Sequence, residues 1–350
     1  MTELTLVAPS AWAAGLLEAF ALRRPDLRVA VASEPADPGW SSADVVWWGA
    51  FQPPGVAPRT SLPLDRLTAE EGLDLKPFAK FADLERAGGH LHALPVGYGV
   101  PALLYNLDIF EQWGTPPPPQ DLTWAGMVAL AEDLRKTGAP VPFGDGAYGW
   151  AAAFLAWQGG ADHRDPHALF PFVEMVRDLR RRAGVPSSPE WFGDGRTAMA
   201  INDCGAEAMS ASPTLRWGVS PFPSLAAQGP SRARWRRSHA YVHLRSKHPK
   251  ESFALAAFIP RWAAERGPAV LGTFAALDRG EVASGSLSQM PVGQEALRAA
   301  AQAAAPDEWD AGAPFADGAL WAALEAAIGE GWDLDTFAAR FESVQMAAPT

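Results

Sequence analysis

The sequence predicts an α/β chain folded into two lobes, and three observations lead there. The first fifty residues alternate short apolar strands with an amphipathic helix, the pattern of a parallel sheet with helical crossovers. The stretch Ala93–Leu134 reads as a buried strand, a polar corner, one helical turn, a proline strut and an amphipathic helix. That order is what a hinge between two bodies requires. A chain of 350 residues is also long for one hydrophobic core and suits two lobes of ordinary domain size.

Taken in order, Leu4–Ala8 is a strand, Ala13–Leu22 a helix with Leu16, Leu17 and Phe20 on one face, and Leu27–Ala32 a second strand. The Pro38-Gly39 turn leads to a buried strand at Asp44–Trp48. Sites in such sheets lie beyond the C-terminal strand ends. This singles out Pro9–Trp12, Trp48–Gln52 and Gly97–Gly99 as the loops to watch, with Tyr98 exposed by a glycine turn. His90 and His92 fit a hairpin with Gly88-Gly89. Val100–Tyr105 is the next strand, and Asn106 with Asp108 ends it by offering side-chain bonds to the backbone. Pro116–Pro119 can neither be helical nor pair in a sheet, so they form an extended strut. Thr123 stands at an N-cap position ahead of Met127, Ala131 and Leu134. Helices are expected at Thr123–Lys136, Trp150–Gln158, His167–Arg182 and Gly193–Met199, and short strands at Ala198–Ile201, Gly218–Pro221 and Ala240–Leu244. Glu251–Arg266 is an amphipathic helix stopped by Gly267 and Pro268, Ala299–Ala305 is a good helix former, and Trp321–Ile328 and Leu334–Gln345 are two final helices.

Three phrases carry a resemblance. The first is Gly99, Pro101, Tyr105, Asn106, Asp108 and Phe110, followed by Pro116–Pro119, Thr123 and Trp124. The second is Phe192–Asn202 with Trp217–Pro223, and the third is Arg245–Phe258. In this order, over most of the chain, they resemble the family 1 extracytoplasmic solute-binding proteins of ABC importers, the maltose-binding-protein-like group. The resemblance implies a two-lobed, periplasmic-binding-protein-like (type II) fold, with a ligand cleft between lobes joined by hinge strands. It implies an N-terminal lobe of residues 1–108 and 239–300 and a C-terminal lobe of residues 109–238 and 301–350.

Composition narrows the function classes. Apolar residues are 48% and charged residues 20%, which argues against disorder. A net charge of −11 argues against nucleic acid or an anionic membrane as a partner. One basic region stands out: Arg232, Arg234, Arg236, Arg237, Arg245, Lys247 and Lys250, with Trp235 and Tyr241 interleaved. It reads as a solvated loop and strand end, or as a docking patch for an acidic partner. Cys204 is the single cysteine, so an internal disulfide and a cysteine-based zinc site are both excluded, and no cofactor is expected. Met1–Val7 carries no basic n-region, apolar h-region or lipobox cysteine. The resemblance implies an extracytoplasmic location, periplasmic or membrane-anchored. The cytoplasm is expected instead if Met1 is the true start.

The 15 tryptophans direct attention to carbohydrate, because a flat aromatic face stacks on the C–H faces of a sugar ring. Most must fill cores, so position decides. Trp12 lies in the first strand-to-helix loop, and Tyr98 lies between two glycines before the hinge. Trp48 ends the third strand, where the resemblance places an aromatic cleft residue, and Trp47 should point to the opposite face. Tyr148 and Trp150 are similar to an aromatic segment starting a ligand-facing helix in the family, and Trp321 to a late stacking tryptophan. Asp203, at the end of a strand, is the acidic contact implied for ligand hydroxyls, with Asp145 a second candidate. Phe51 with Gln52, and Gly205 with Ala206, depart from the family pattern and put maltose itself in doubt. Trp157, Trp262 and Trp332 sit at core spacing on helices.

Catalytic readings fare worse. No G-x-S-x-G elbow, P-loop or G-x-G-x-x-G fingerprint is present, and no acidic pair sits in a glycosidase motif. Asp162-His-Arg-Asp-Pro-His167 has metal-like spacing, but Pro166 spoils a helical His face and a solvated loop is the plainer reading. The expectation is therefore a non-enzymatic, monomeric solute-binding protein of an ABC importer. It binds a small molecule, a sugar, by hinge closure and hands it to permease subunits. The alternatives are a cytoplasmic ligand sensor or orphan binding protein of the same fold and, further off, a carbohydrate-active enzyme using Asp203 or Asp145.

Overall fold

The computed structural model describes residues 2–8, 10–32, 43–48, 60–76, 82–99, 101–139, 141–144, 148–162, 164–183, 192–203, 215–225, 236–266, 274–275 and 318–347. In chain order the elements are β1 (Thr2–Val7), α1 (Ser10–Arg23), β2 (Leu27–Ala32), β3 (Val45–Trp48), α2 (Asp65–Glu70), β4 (Arg86–Ala87), β5 (His90–Leu91), β6 (Leu94–Gly99) and β7 (Pro101–Asn106). They continue with α3 (Leu107–Gln112), α4 (Trp124–Thr137), α5 (Tyr148–Gln158), α6 (Pro166–Ala183), β8 (Met199–Asp203), β9 (Trp217–Pro221) and β10 (Arg236–Val242). The last are α7 (Pro249–Arg266), β11 (Phe274–Ala275), α8 (Gly318–Glu330) and α9 (Leu334–Ala347). The chain divides into two compact units, Met1–Gly99 with Arg236–Ser286 and Val100–Trp235 with Leu287–Thr350.

These limits differ from the expected 108/109 and 238/239. The reason is β7, which pairs along its length with β8 and β9 and so belongs to the second unit from its first residue. The proline strut lies wholly inside that unit too, instead of leading from one body to another; Pro118 is buried and the Pro119 carbonyl accepts a hydrogen bond from Ser220.

The first unit is built on a six-stranded sheet in the order β11-β6-β10-β3-β1-β2. β1 runs parallel to β2 and β3, while β10 is antiparallel to both β3 and β6, so β6 points the same way as β1 and β3. Alternation along the strands sends Leu4, Leu6, Val45, Trp47, Ala240 and Val242 into a core shared with α1 and α7. Leu16 and Phe20 enter it from α1, and Phe253, Ile259 and Trp262 from α7. Val7, Val46 and Tyr241 pack on the other face. The Asp44 carboxylate, just before β3, ties β1 to the turn after β10, accepting from Thr5 N–H at 2.9 Å and the Ser246 hydroxyl at 2.7 Å. β2 is an edge strand with Arg28, Ala30 and Val31 exposed.

In the second unit β7 is the centre of an antiparallel trio, β8-β7-β9. The Asn106 corner forms as expected, with its Oδ1 accepting from Asp108 N–H at 3.0 Å and Ile109 N–H at 3.3 Å to cap α3. Thr123 Oγ1 accepts from Gly126 N–H at 3.1 Å and caps α4. Met127, Ala131 and Leu134 are buried in a core with α5, α6, α8 and α9. Arg177 on α6 donates to the carbonyls of Ala327 and Trp332, and Arg180 to that of Ile328, closing the C-terminal end of α8.

Two local expectations are corrected. Gly193–Met199 is not a helix but a single 3-10 turn at Phe192–Asp194, left through Gly195 at φ +75°, before β8. Gly97–Gly99 is not a turn: these residues continue β6, paired on both sides by β10 and β11, and that ladder outweighs the poor strand propensity of glycine. Pro38-Gly39, Gly267, Pro268 and Ala299–Ala305 lie outside the described residues.

Candidate functional site

Six of the seven expected ligand residues fall by the backbone into two groups, one per unit. In the first unit β1, β3 and β6 all end at one edge of the sheet. Trp48 is the last residue of β3 and Tyr98 the last but one of β6. α1 begins at Ser10, three residues after β1 ends, so Trp12 stands in its first helical turn and not in a loop. Trp12, Trp48 and Tyr98 therefore share the C-terminal strand edge, where open α/β sheets place their ligands. β10 enters at this same edge, with Arg237 in register with Tyr98 and His239 with Trp48.

In the second unit Asp203 ends β8 opposite Pro101. The segment 141–144 runs parallel beside β8, with Gly144 N–H donating to the Met199 carbonyl at 2.9 Å and Ala198 N–H to that of Val141 at 2.9 Å. It leaves the sheet at the Asp203 end, and Tyr148 and Trp150 open α5 four residues later. These three residues form the second group. Trp321 stands apart in the first turn of α8, a helix packed on α5, α6 and α9.

The other tryptophans separate clearly. Trp47 is fully buried, donates its Nε1–H to Ser238 Oγ at 3.1 Å and meets Trp262 edge-on at 6.1 Å. Trp262 is buried as expected, whereas Trp157 and Trp332 are half-buried, and Trp332 bonds outward to Glu330 at 2.8 Å.

One constellation went unread in the sequence. His239 and Glu85 are both buried, with Nδ1 and Oε2 3.6 Å apart, directly across the ladder from Trp48. Strand alternation at Ser238-His-Ala-Tyr-Val242 is the one signal that points His239 inward. Glu85 sits far off in the chain, in the 3-10 turn Asp83–Glu85 whose Glu85 carbonyl accepts from His92 N–H at 2.9 Å.

Around Asp162–His167 the Asp162 and Asp165 carboxylates accept the N–H groups of Arg164 and His167, so they serve as local caps. Among the described residues no cluster of His, Cys, Asp and Glu could hold a metal ion, and no helix is long and apolar enough to cross a membrane. Phe51, Gln52, Asp145, Cys204, Gly205, Ala206, Arg232, Arg234 and Trp235 lie outside the described residues.

No protein-family model matches the sequence. Solved structures match it over the full length. An ABC substrate-binding protein from Listeria monocytogenes in complex with cycloalternan is similar with a TM-score of 0.79 and 16% identity, covering 99% of this chain and 98% of that one. Maltose-bound T. maritima MalE3 gives 0.77 and 17%, covering 99% and 100%. UgpB from Mycobacterium tuberculosis in complex with glycerophosphocholine gives 0.78 and 16%, covering 99% and 98%. The chain thus has the two-lobed periplasmic-binding-protein-like fold seen in substrate-binding proteins of ABC transporters.

Proposed function

We propose that the protein is a solute-binding protein of an ABC importer, which takes a small carbohydrate by hinge closure and delivers it to permease subunits. The observation that carries this reading is the gathering of Trp12, Trp48 and Tyr98 at the C-terminal strand edge of the first unit. It stands on a fold whose similar structures hold cycloalternan and maltose. In this reading Trp12, Trp48, Tyr98, Tyr148, Trp150 and Trp321 stack on sugar faces, and Asp203 accepts hydrogen bonds from ligand hydroxyls. Binding without turnover is enough: the ligand favours the closed form by its differential affinity for it. The protein acts as a monomer outside the cytoplasm, with no role for nucleic acid.

Thermal unfolding against a panel of mono- and oligosaccharides, polyols and phosphorylated sugars tests the reading. A ligand at about 100 times its Kd adds roughly 2.7 kcal/mol, a shift of several degrees. The expected result is a shift with one class of saccharide that is lost in Trp48→Ala. A panel in which no saccharide shifts the transition would contradict it.

A further inference from the structure

At the C-terminal strand edge of the first unit, the register of β10 sets an arginine between two of the aromatic residues. Tyr241 of β10 packs with Val7, Val46 and Ala93 on the face of the sheet opposite the α1–α7 core. Strand alternation places His239 and Arg237 of β10, and Trp48 of β3, on that same face. The His239 and Tyr241 rings are 6.1 Å apart, as this placement requires.

Tyr98 joins them through an irregularity. Val96 belongs to the α1–α7 core, and plain alternation would keep Tyr98 on the core side with it. Between Ser238 and His239 the ladder shifts register: His239 pairs with Pro95, but Ser238 pairs with Gly97. Ser238 is on the core side, where its Oγ accepts from Trp47 Nε1–H at 3.1 Å. Beyond the shift Tyr98 therefore stands opposite Arg237, on the face that carries Trp48, and β11 adds Phe274 to the same rung. Residues opposite one another in such a ladder have Cβ atoms about 4.5–5.5 Å apart, and diagonal neighbours lie about 7–8 Å apart. Arg237 stands in the first relation to Tyr98 and in the second to Trp48. The Glu85 carboxylate is already engaged on this face, 3.6 Å from His239 Nδ1 with both residues buried.

We propose that the site takes a saccharide carrying a carboxylate or a phosphate, and that Arg237 is the residue that selects it. This rests on the sugar-binding reading above and narrows it. Aromatic residues at a strand edge hold a sugar ring by its C–H faces and do not discriminate charge. A guanidinium set among them does. Its planar fork offers paired donors to either anion, and it stays charged at every pH the protein meets.

Titration calorimetry of the full chain with matched sugars tests the proposal. The probes are glucose against glucuronate and glucose 6-phosphate, galactose against galacturonate and galactose 6-phosphate, and galactobiose against digalacturonate. In at least one set an acidic member should bind about ten- to a hundredfold tighter than its neutral counterpart. Whether the uronate or the phosphate gains more identifies the anion. Arg237→Gln should abolish the preference, and Arg237→Lys, which keeps the charge without the fork, should retain part of it. Arg236→Gln removes the same charge from the alternate face, opposite Gly99, and should leave the preference intact. Circular dichroism of each free variant checks that it folds. Equal binding of neutral and acidic sugars would overturn this proposal and leave the sugar-binding reading standing. A preference that survives Arg237→Gln, or that Arg236→Gln removes equally, would overturn the assignment to Arg237. Binding of none of the saccharides would overturn both readings.

Discussion

The two units are held together by different means. The first rests on a broad mixed sheet whose alternating residues form the core with α1 and α7, and its stability lies in large side chains such as Trp47. The second wraps helices around a narrow antiparallel trio, and its boundaries are written by single polar groups and one close approach. A broad sheet covered by helices buries whole strands and so tolerates loosely specified ends. A helical unit depends on where each helix starts and stops. Substitutions should therefore act through lost packing in the first unit and through lost caps and crowding in the second.

The largest effect is expected in the first unit. Trp47→Ala removes a fully buried ring, its bond to Ser238 and its contact with Trp262, and should cost about 3–5 kcal/mol in urea unfolding. Next comes crowding in the second unit. A Cβ on Gly218 would stand 2.4 Å from the ring of Tyr105, which is itself buried in the sheet, so Gly218→Ala should cost about 1–3 kcal/mol. Asn106→Ala removes the α3 cap and the donor to the Gly195 carbonyl, for about 1–2 kcal/mol, and Thr123→Ala removes a single cap bond, for about 1 kcal/mol. Equal effects of Trp47→Ala and Thr123→Ala would erase the contrast between the units.

The smallest effect is a pH dependence expected in the first unit. Burial lowers the pKa of His92, helped by His90, and burial with the nearby Arg245 lowers that of His243, whose Nδ1 accepts from the Arg245 N–H at 3.2 Å. Such a ring is neutral in the fold, so as pH falls the unfolded chain takes up the proton first. The contribution is complete above the unfolded value of about 6.5 and is lost as pH falls towards the folded values. The melting temperature should drop on acidification through that window, and the drop should shrink in His243→Gln.

Much of this was legible in the sequence because the signals are local. Leu27–Ala32 is read to the residue, and the Asn106 and Thr123 caps fall where short polar side chains precede apolar helical spacing. What escaped was set by partners remote in the chain. Gly193–Met199 suits a helix by propensity yet forms a single 3-10 turn, while the strand expected at Ala198–Ile201 is present and is carried on to Asp203 by its pairing with β7. The glycines around Tyr98 read as a turn until β10 and β11 pair with them. The strand-end positions of Trp48 and Asp203 followed from their strands, while the burial of Glu85 against His239 left no trace in spacing.

Trp47 and Trp48, adjacent in one strand, give the central claim its sharpest test. The measurement is a titration of wild type, Trp47→Ala and Trp48→Ala with the saccharide that stabilises the wild type, alongside their unfolding curves. The account predicts that Trp48→Ala weakens binding about tenfold or more with little change in stability, while Trp47→Ala loses stability but still binds below its lowered transition. Unchanged saccharide binding in Trp48→Ala would contradict the assignment of the ligand to the strand-end edge.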